Sequence, residues 1–181
     1  VQMEMAWWRK ENILKGRSFI MPTPTVTITT DASHLGWGAH LGTLRVRGLW
    51  GPQEDNKHIN WLELKTVHLA LKAFKKHVVG QTVLVQTDNT TTMFYLNKQG
   101  GTKSYQLSQL AQEIWKWATE YKVTLVAIHL PGEDNVEADR LSRQATVTHE
   151  WELKRNVVQN IFQRWGKPNI DLFATPQNKK C

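Results

Sequence analysis

The chain reads as an α/β protein with one mixed sheet and helices on its faces. Three observations predict this. The run Thr25-Val-Thr-Ile-Thr-Thr30 alternates strand-forming residues at a period of two and closes on Asp31. A second run, Thr82-Val-Leu-Val-Gln-Thr87, is apolar enough for a strand covered on both faces, and it also closes on an acid, Asp88. Stretches with apolar residues at helical spacing separate and follow these runs, so the order is β-β-β-α-β-α-α-β-α.

Each element has its own signal. Residues 1–24 form a connecting segment: Trp7, Trp8, Ile13 and Leu14 suit a short helix stopped by Gly16, then Met21-Pro-Thr-Pro24. After the first strand, Trp37–Leu41 and Leu44–Trp50 flank Gly42-Thr43 as a hairpin extending the sheet antiparallel. Asn60 opens a helix through Trp61, Leu64, Val67, Leu71 and Phe74 that ends near Gly80. Asn89 or Thr90 caps the next helix, which Gly100-Gly101 stops. Ser104 caps another, with Leu107, Leu110, Ala111, Ile114, Ala118 and Tyr121 as its apolar stripe. Val123–His129 is the last strand, and a helix follows from about Asn135 through Leu141. Residues 146–181 differ in character: Val157, Ile161 and Trp165 predict a short amphipathic helix, and Ile170-Asp-Leu-Phe173 an extended docked segment.

The totals narrow the function. At 181 residues with 40% apolar content, one core with extensions is expected, not two full domains. Twenty-three Lys and Arg against sixteen Asp and Glu give +7, a balance suited to a polyanionic partner. The single cysteine, Cys181, excludes a disulfide framework and a zinc box and points to a reducing, intracellular setting, cytoplasmic or nuclear. No apolar run approaches membrane-spanning length, so no membrane partner is expected. With Val first, the chain is read as a piece of a longer polypeptide.

Four acids and a histidine carry the chemistry. Asp31 and Asp88 each end a strand after threonine, where an acid can equally start a turn or cap a helix. Glu63 shares a helix face with Val67, Ala70 and Phe74; a carboxylate there is costly unless compensated, or else it escapes to solvent near the helix start. Asp139 sits early in the last helix, where it could simply complement the dipole, and His129 ends its strand. Taken together, carboxylates converging on one site repel unless cations sit among them. Hard divalent ions such as Mg²⁺ suit oxygen ligands, and two of them can clamp an in-line phosphoryl displacement. A basic surface would then hold nucleic acid while the acidic pocket cuts it.

Four strings in order carry a family resemblance: Thr30-Asp31-Ala32-Ser33, Trp61-Leu62-Glu63-Leu64, Gln86-Thr87-Asp88-Asn89, and His129-Leu-Pro-Gly-Glu-Asp-Asn-Val-Glu-Ala-Asp139-Arg-Leu-Ser-Arg143. Over residues 25–145 the chain resembles the ribonuclease H domain of a retroelement reverse transcriptase. More narrowly, Thr87-Asp-Asn-Thr-Thr, Asn97-Lys-Gln-Gly-Gly-Thr-Lys-Ser104, Glu150-Trp-Glu-Leu153 and Asp171-Leu-Phe-Ala-Thr175 are similar to DIRS-type, tyrosine-recombinase retrotransposons.

The resemblance implies a ribonuclease H-like mixed five-stranded sheet flanked by helices, with N- and C-terminal extensions. It implies Asp31, Glu63, Asp88 and Asp139 as ligands of two Mg²⁺ ions, with Mn²⁺ able to substitute, and no small-molecule cofactor. His129 matches a mobile histidine that helps product leave or water arrive. Ser33, Asn60, Asn89 and Asn135 are the substrate-side residues, Asn60 touching the RNA strand and Asn135 supporting a loop. The implied reaction is hydrolysis of the RNA strand of an RNA–DNA hybrid made by a linked polymerase domain. Gly100-Gly101 stands where cellular members insert a basic helix and loop, and His58-Ile59 replaces small polar residues that hold a DNA phosphate. Lys57, Lys65, Lys72, Lys75 and Lys76 offer substitute phosphate contacts, or solvate a helix face. The alternatives are an inactive nucleic-acid-binding or scaffolding module of the same fold, and a DNA-acting relative such as an integrase or junction resolvase.

Overall fold

A computed structural model of the chain describes residues 22–143 and 155–167. The chain divides into two compact units, Val1–Gln144 and Ala145–Cys181. In the first, five strands form one sheet in the order β3-β2-β1-β4-β5. They are β1 (Val26–Ala32), β2 (Gly36–Leu41), β3 (Leu44–Leu49), β4 (Thr82–Thr87) and β5 (Thr124–His129). The hairpin β1-β2-β3 is antiparallel, while β4 and β5 join β1 in parallel through helical crossovers. The expected mixed five-stranded sheet with flanking helices is what the chain forms.

Side-chain alternation sorts the two faces. Ile28, Val83 and Val85 enter the main core with Leu64, Val67 and Leu71 of α1 (Ile59–Ala73). The same core takes Leu96 of α3 (Thr90–Asn97) and Leu107, Leu110, Ala111, Ile114 and Ala118 of α4 (Tyr105–Glu120). The opposite face of β1 and β2 carries α5 (Val136–Arg143). Its seat is Gly38, which pairs with Asp31 across the β1–β2 ladder. A Cβ there would lie 2.4 Å from Leu141 Cβ and 2.8 Å from both Ala138 O and Ser142 N. Only a glycine lets this short helix come so near the strand.

Several boundaries differ from the sequence expectation. The helix after the hairpin starts a residue earlier, capped by the His58 imidazole, which accepts the Asn60 N–H at 3.1 Å. It ends at Ala73, and a single turn, α2 (Lys75–Val78), follows; the break at Phe74 lets Phe74 and Val78 both reach the core. The α3 helix is stopped by Gln99, not by the glycines: Gln99 adopts φ 57°, and the Gly100 and Gln99 amides close back on Tyr95 and Leu96 carbonyls at 2.8 and 3.1 Å. Lys122, at φ 55°, ends α4 in the same way and delays β5 to Thr124. Asn89 and Ser104 are the caps, accepting the Thr92 and Leu107 amides at 2.8 and 3.3 Å.

The second unit contributes α6 (Arg155–Trp165), ended by Gly166 at φ 82°. The readings made for residues 1–21 and for Ile170–Phe173 lie outside the described residues.

Gly38→Val should cost about 3 kcal/mol of stability, because α5 must lift off the sheet. Chemical denaturation checks this, and a loss under 1 kcal/mol (roughly the range of a tolerated swap) would contradict the packing.

Candidate active site

Two central parallel strands place the first two acids. In their register Thr30 lies beside Thr87, so Asp31 and Asp88, the next residues, stand side by side where the β1–β4 pairing ends. Asp31 is 3% exposed and Asp88 half-buried. Glu63 comes from the second turn of α1 and is 4% exposed. One oxygen from each of the three carboxylates lies within 4.8 Å of the others. The helical stripe thus carries Glu63 inward, not to solvent.

The surroundings are only partly compensating. The Ala32 N–H donates to the Glu63 carboxylate, yet Glu63 Oε2 is buried without a partner. Burial, then the charges of Asp31 and Asp88, push Glu63 up to about 9. Burial also raises Asp31 to about 6, opposed by a hydrogen bond from Ser142 Oγ to Asp31 Oδ2 at 2.5 Å. Asp88 is raised as well, chiefly by burial, and His129 opposes that rise. A group of this kind, all oxygen, close and short of donors, is chemically fitted to a hard divalent cation. The orphaned Glu63 oxygen is the particular that makes the fit.

The other expected residues take distinct positions. Asp139 does not join the trio; it is half-buried at the start of α5, and Arg143 Nε donates to its Oδ1 at 2.6 Å. Its charge still reaches Asp31 and Asp88. His129 Nε2 lies 3.1 Å from the Asp88 carbonyl oxygen on the exposed side of the site. Asn89 Nδ2 donates to Asn60 Oδ1 at 2.9 Å, tying the start of α1, one turn before Glu63, to that of α3, next to Asp88.

Two of the expected substrate-side residues act inward. Ser33 Oγ donates to the Ser142 carbonyl at 2.8 Å and receives the Leu35 and Gly36 amides, so the hydroxyl fastens α5 to the β1–β2 turn. Asn135, 1% exposed, donates to the Thr30 carbonyl at 3.2 Å and braces the loop before α5. Lys57 and Lys65 lie over the Trp61 ring at 5.5 and 5.6 Å, and Lys75 over Tyr121 at 3.9 Å.

Sequence reasoning assigned no role to Ser142 and Arg143. Both follow Asp139 on a helix whose inward face was unknown until Gly38 and Ser33 fixed it. Asn97 was also missed: it accepts the Ala127 amide and donates to the Ala127 carbonyl at 2.9 and 2.8 Å, covering part of the edge strand β5.

Comparison with known proteins agrees with this picture of the fold. No protein-family model matches the sequence. The enzymatic polyprotein of Figwort mosaic virus (strain DxS) is 30% identical over 152 residues, 74% of this chain and 21% of that protein. The chain thus spans about a fifth of the length of the curated relative it matches. Among solved structures, LC11-RNase H1, isolated from compost by a metagenomic approach, aligns with TM-score 0.55 at 21% identity over 66% of this chain and 93% of that one. The same protein in complex with an RNA/DNA hybrid gives 0.56 at 20% identity, over 65% and 93%. RNase H1 from Halobacterium salinarum NRC-1 gives 0.51 at 17%, over 64% and 92%. The fold is that of ribonuclease H.

The raised carboxyls make a stability prediction. The folded state holds these protons more tightly than the unfolded chain, so their contribution to metal-free stability is fully present below the ordinary carboxyl range and is lost as pH rises toward about 9. His68, buried and lowered to about 4, acts only on the acid side, which among the described residues leaves the window from about pH 7 to 9 to the site. In chelator, Glu63→Gln should flatten the fall between about pH 7 and 9 and raise Tm at the alkaline end by roughly 3–6 °C. Scanning calorimetry decides; an equal slope in both proteins would refute the assignment.

Proposed function

We propose that residues 25–145 form a metal-dependent endonuclease that hydrolyses the RNA strand of RNA–DNA hybrids. The observation that carries the reading is the meeting of Asp31, Glu63 and Asp88 within 4.8 Å at the ends of the two central parallel strands, with Glu63 Oε2 left unpartnered. Asp31, Glu63 and Asp88 would hold the cations, with Asp139 at the margin. Two Mg²⁺ ions, or Mn²⁺ in their place, would supply Lewis-acid polarisation and charge neutralisation for an in-line phosphoryl displacement.

The chain's own residues supply the rest. Asn60 and Asn89, joined to each other, present an amide-lined lip beside the acids where a sugar-phosphate backbone can be held. His129, anchored through Asp88's carbonyl and open to solvent, stands where a proton or a departing strand would pass. The net charge of +7 favours the approach of a polyanion despite the acidic pocket.

Support for the substrate is the shared fold with LC11-RNase H1, a protein solved with an RNA/DNA hybrid. Support for a retroelement setting is the 30% identity to a viral enzymatic polyprotein. On that reading the domain works beside a linked reverse transcriptase polymerase, inside the cell. The strings noted above favour the DIRS-type group.

Asp88→Asn should reduce cleavage of the RNA strand in a labelled hybrid by at least about 10³-fold while the circular dichroism spectrum is unchanged. The hybrid should be cut in Mg²⁺ and a DNA duplex of the same sequence left intact. Hybrid binding without turnover in either metal would favour a binding module, and duplex DNA cleavage an integrase-like enzyme.

A further inference from the structure

The acidic site is not uniform. Asp31, Glu63 and Asp88 stand close together with an open oxygen among them. Asp139 stands apart and already holds a cation of the chain's own, Arg143, whose Nε is 2.6 Å from Asp139 Oδ1 one helical turn away. The guanidinium is near enough to the trio to feel Asp31 and Asp88, after Asp139. Its neighbour Ser142 donates to Asp31, so two consecutive residues of α5 serve the two parts of the site separately.

We propose that Arg143 is an internal competitor for the outer cation position. Its guanidinium occupies Asp139 until a divalent ion displaces it, so the site fills in two steps, the inner trio first and Asp139 second. Arg143 acts here through Asp139 and is a positioning residue. The inference rests on the reading of the site as a place for two cations.

The strength of the competition follows from exposure. The side chains of Arg143 and Asp139 are 65% and 42% exposed, so the pair is screened and exchangeable. An ion pair of this kind shifts an equilibrium by up to about fivefold, and removing a nearby positive charge adds to that. Such a barrier delays the second ion without excluding it.

Calorimetric titration of Mn²⁺ into the full chain tests this without an activity assay. The wild-type protein should show a tighter and a weaker binding event. Arg143→Met should tighten the weaker event by about three- to tenfold and the tighter one by less than about twofold. Arg143→Lys, which keeps the charge but loses the Nε contact, should fall between them and serves alone if the methionine variant does not fold. In an Asp139→Asn background, Arg143→Met should change the remaining affinity by less than about twofold. An outer affinity that is unchanged or weaker without Arg143 overturns the proposal and leaves the site reading standing. A wild-type chain that binds no divalent ion overturns both.

Discussion

Three carboxylates crowd together where two parallel strands end, and the rest of the structure is arranged around tolerating that. Glu63 is the extreme case: it is 4% exposed, receives one backbone donor, and keeps one oxygen with none. Like charges held this close in a poorly solvated place favour protonation or a bound cation, and at neutral pH only the second keeps all three ionised. The sheet can bear this because Ile28, Leu64, Leu71, Val83, Val85 and Ile114 form a continuous apolar core beside the site. Glu63 rides on the helix that supplies Leu64, Val67 and Leu71 to that core, so the same packing that stabilises the fold holds this carboxylate inward.

Most of the fold was legible because its signals are local. Period-two runs, the Asn89 and Ser104 caps and the apolar stripe of α4 all act within a few residues, and each is where its chemistry puts it. The failures are equally physical. Gln99 and Lys122 accept left-handed backbone that glycine would adopt more readily, so the stop of α3 falls just before Gly100-Gly101, and nothing local marks the one at Lys122. The break at Phe74 answers to a tertiary demand, burying Phe74 and Val78 together, which no window of sequence contains.

The site was legible in part for the same reason. Asp31, Asp88 and Glu63 could be named because strand ends and helix faces are properties of the elements themselves. Ser33 and Asn135 carried polar side chains near the motifs, but their partners, the Ser142 and Thr30 carbonyls, lie 109 and 105 residues away. Distance along the chain hid the fact that both are spent on bracing α5 and its loop. Ser142 was invisible for the converse reason: its role depends on which face of an eight-residue helix meets Gly38.

That short helix links stability to chemistry. α5 has few residues with which to hold itself, and it is fastened at several points: Ala138 and Leu141 pressed onto Gly38, Ser33 on its last turn, and Arg45 of β3 paired with Glu137 at its start. The exposed Arg45–Glu137 pair adds little energy; Glu137 in the first turn and Arg140 and Arg143 in the last complement the helix dipole. Through this docking, Ser142 stabilises the Asp31 charge and Asp139 reaches the edge of the site. Any change that lifts α5 therefore alters the charge state of Asp31 before it disturbs the core. Loss of the helix from its seat should be felt first at the three carboxylates, through the lost Ser142 donor, with the apolar side of the sheet still intact.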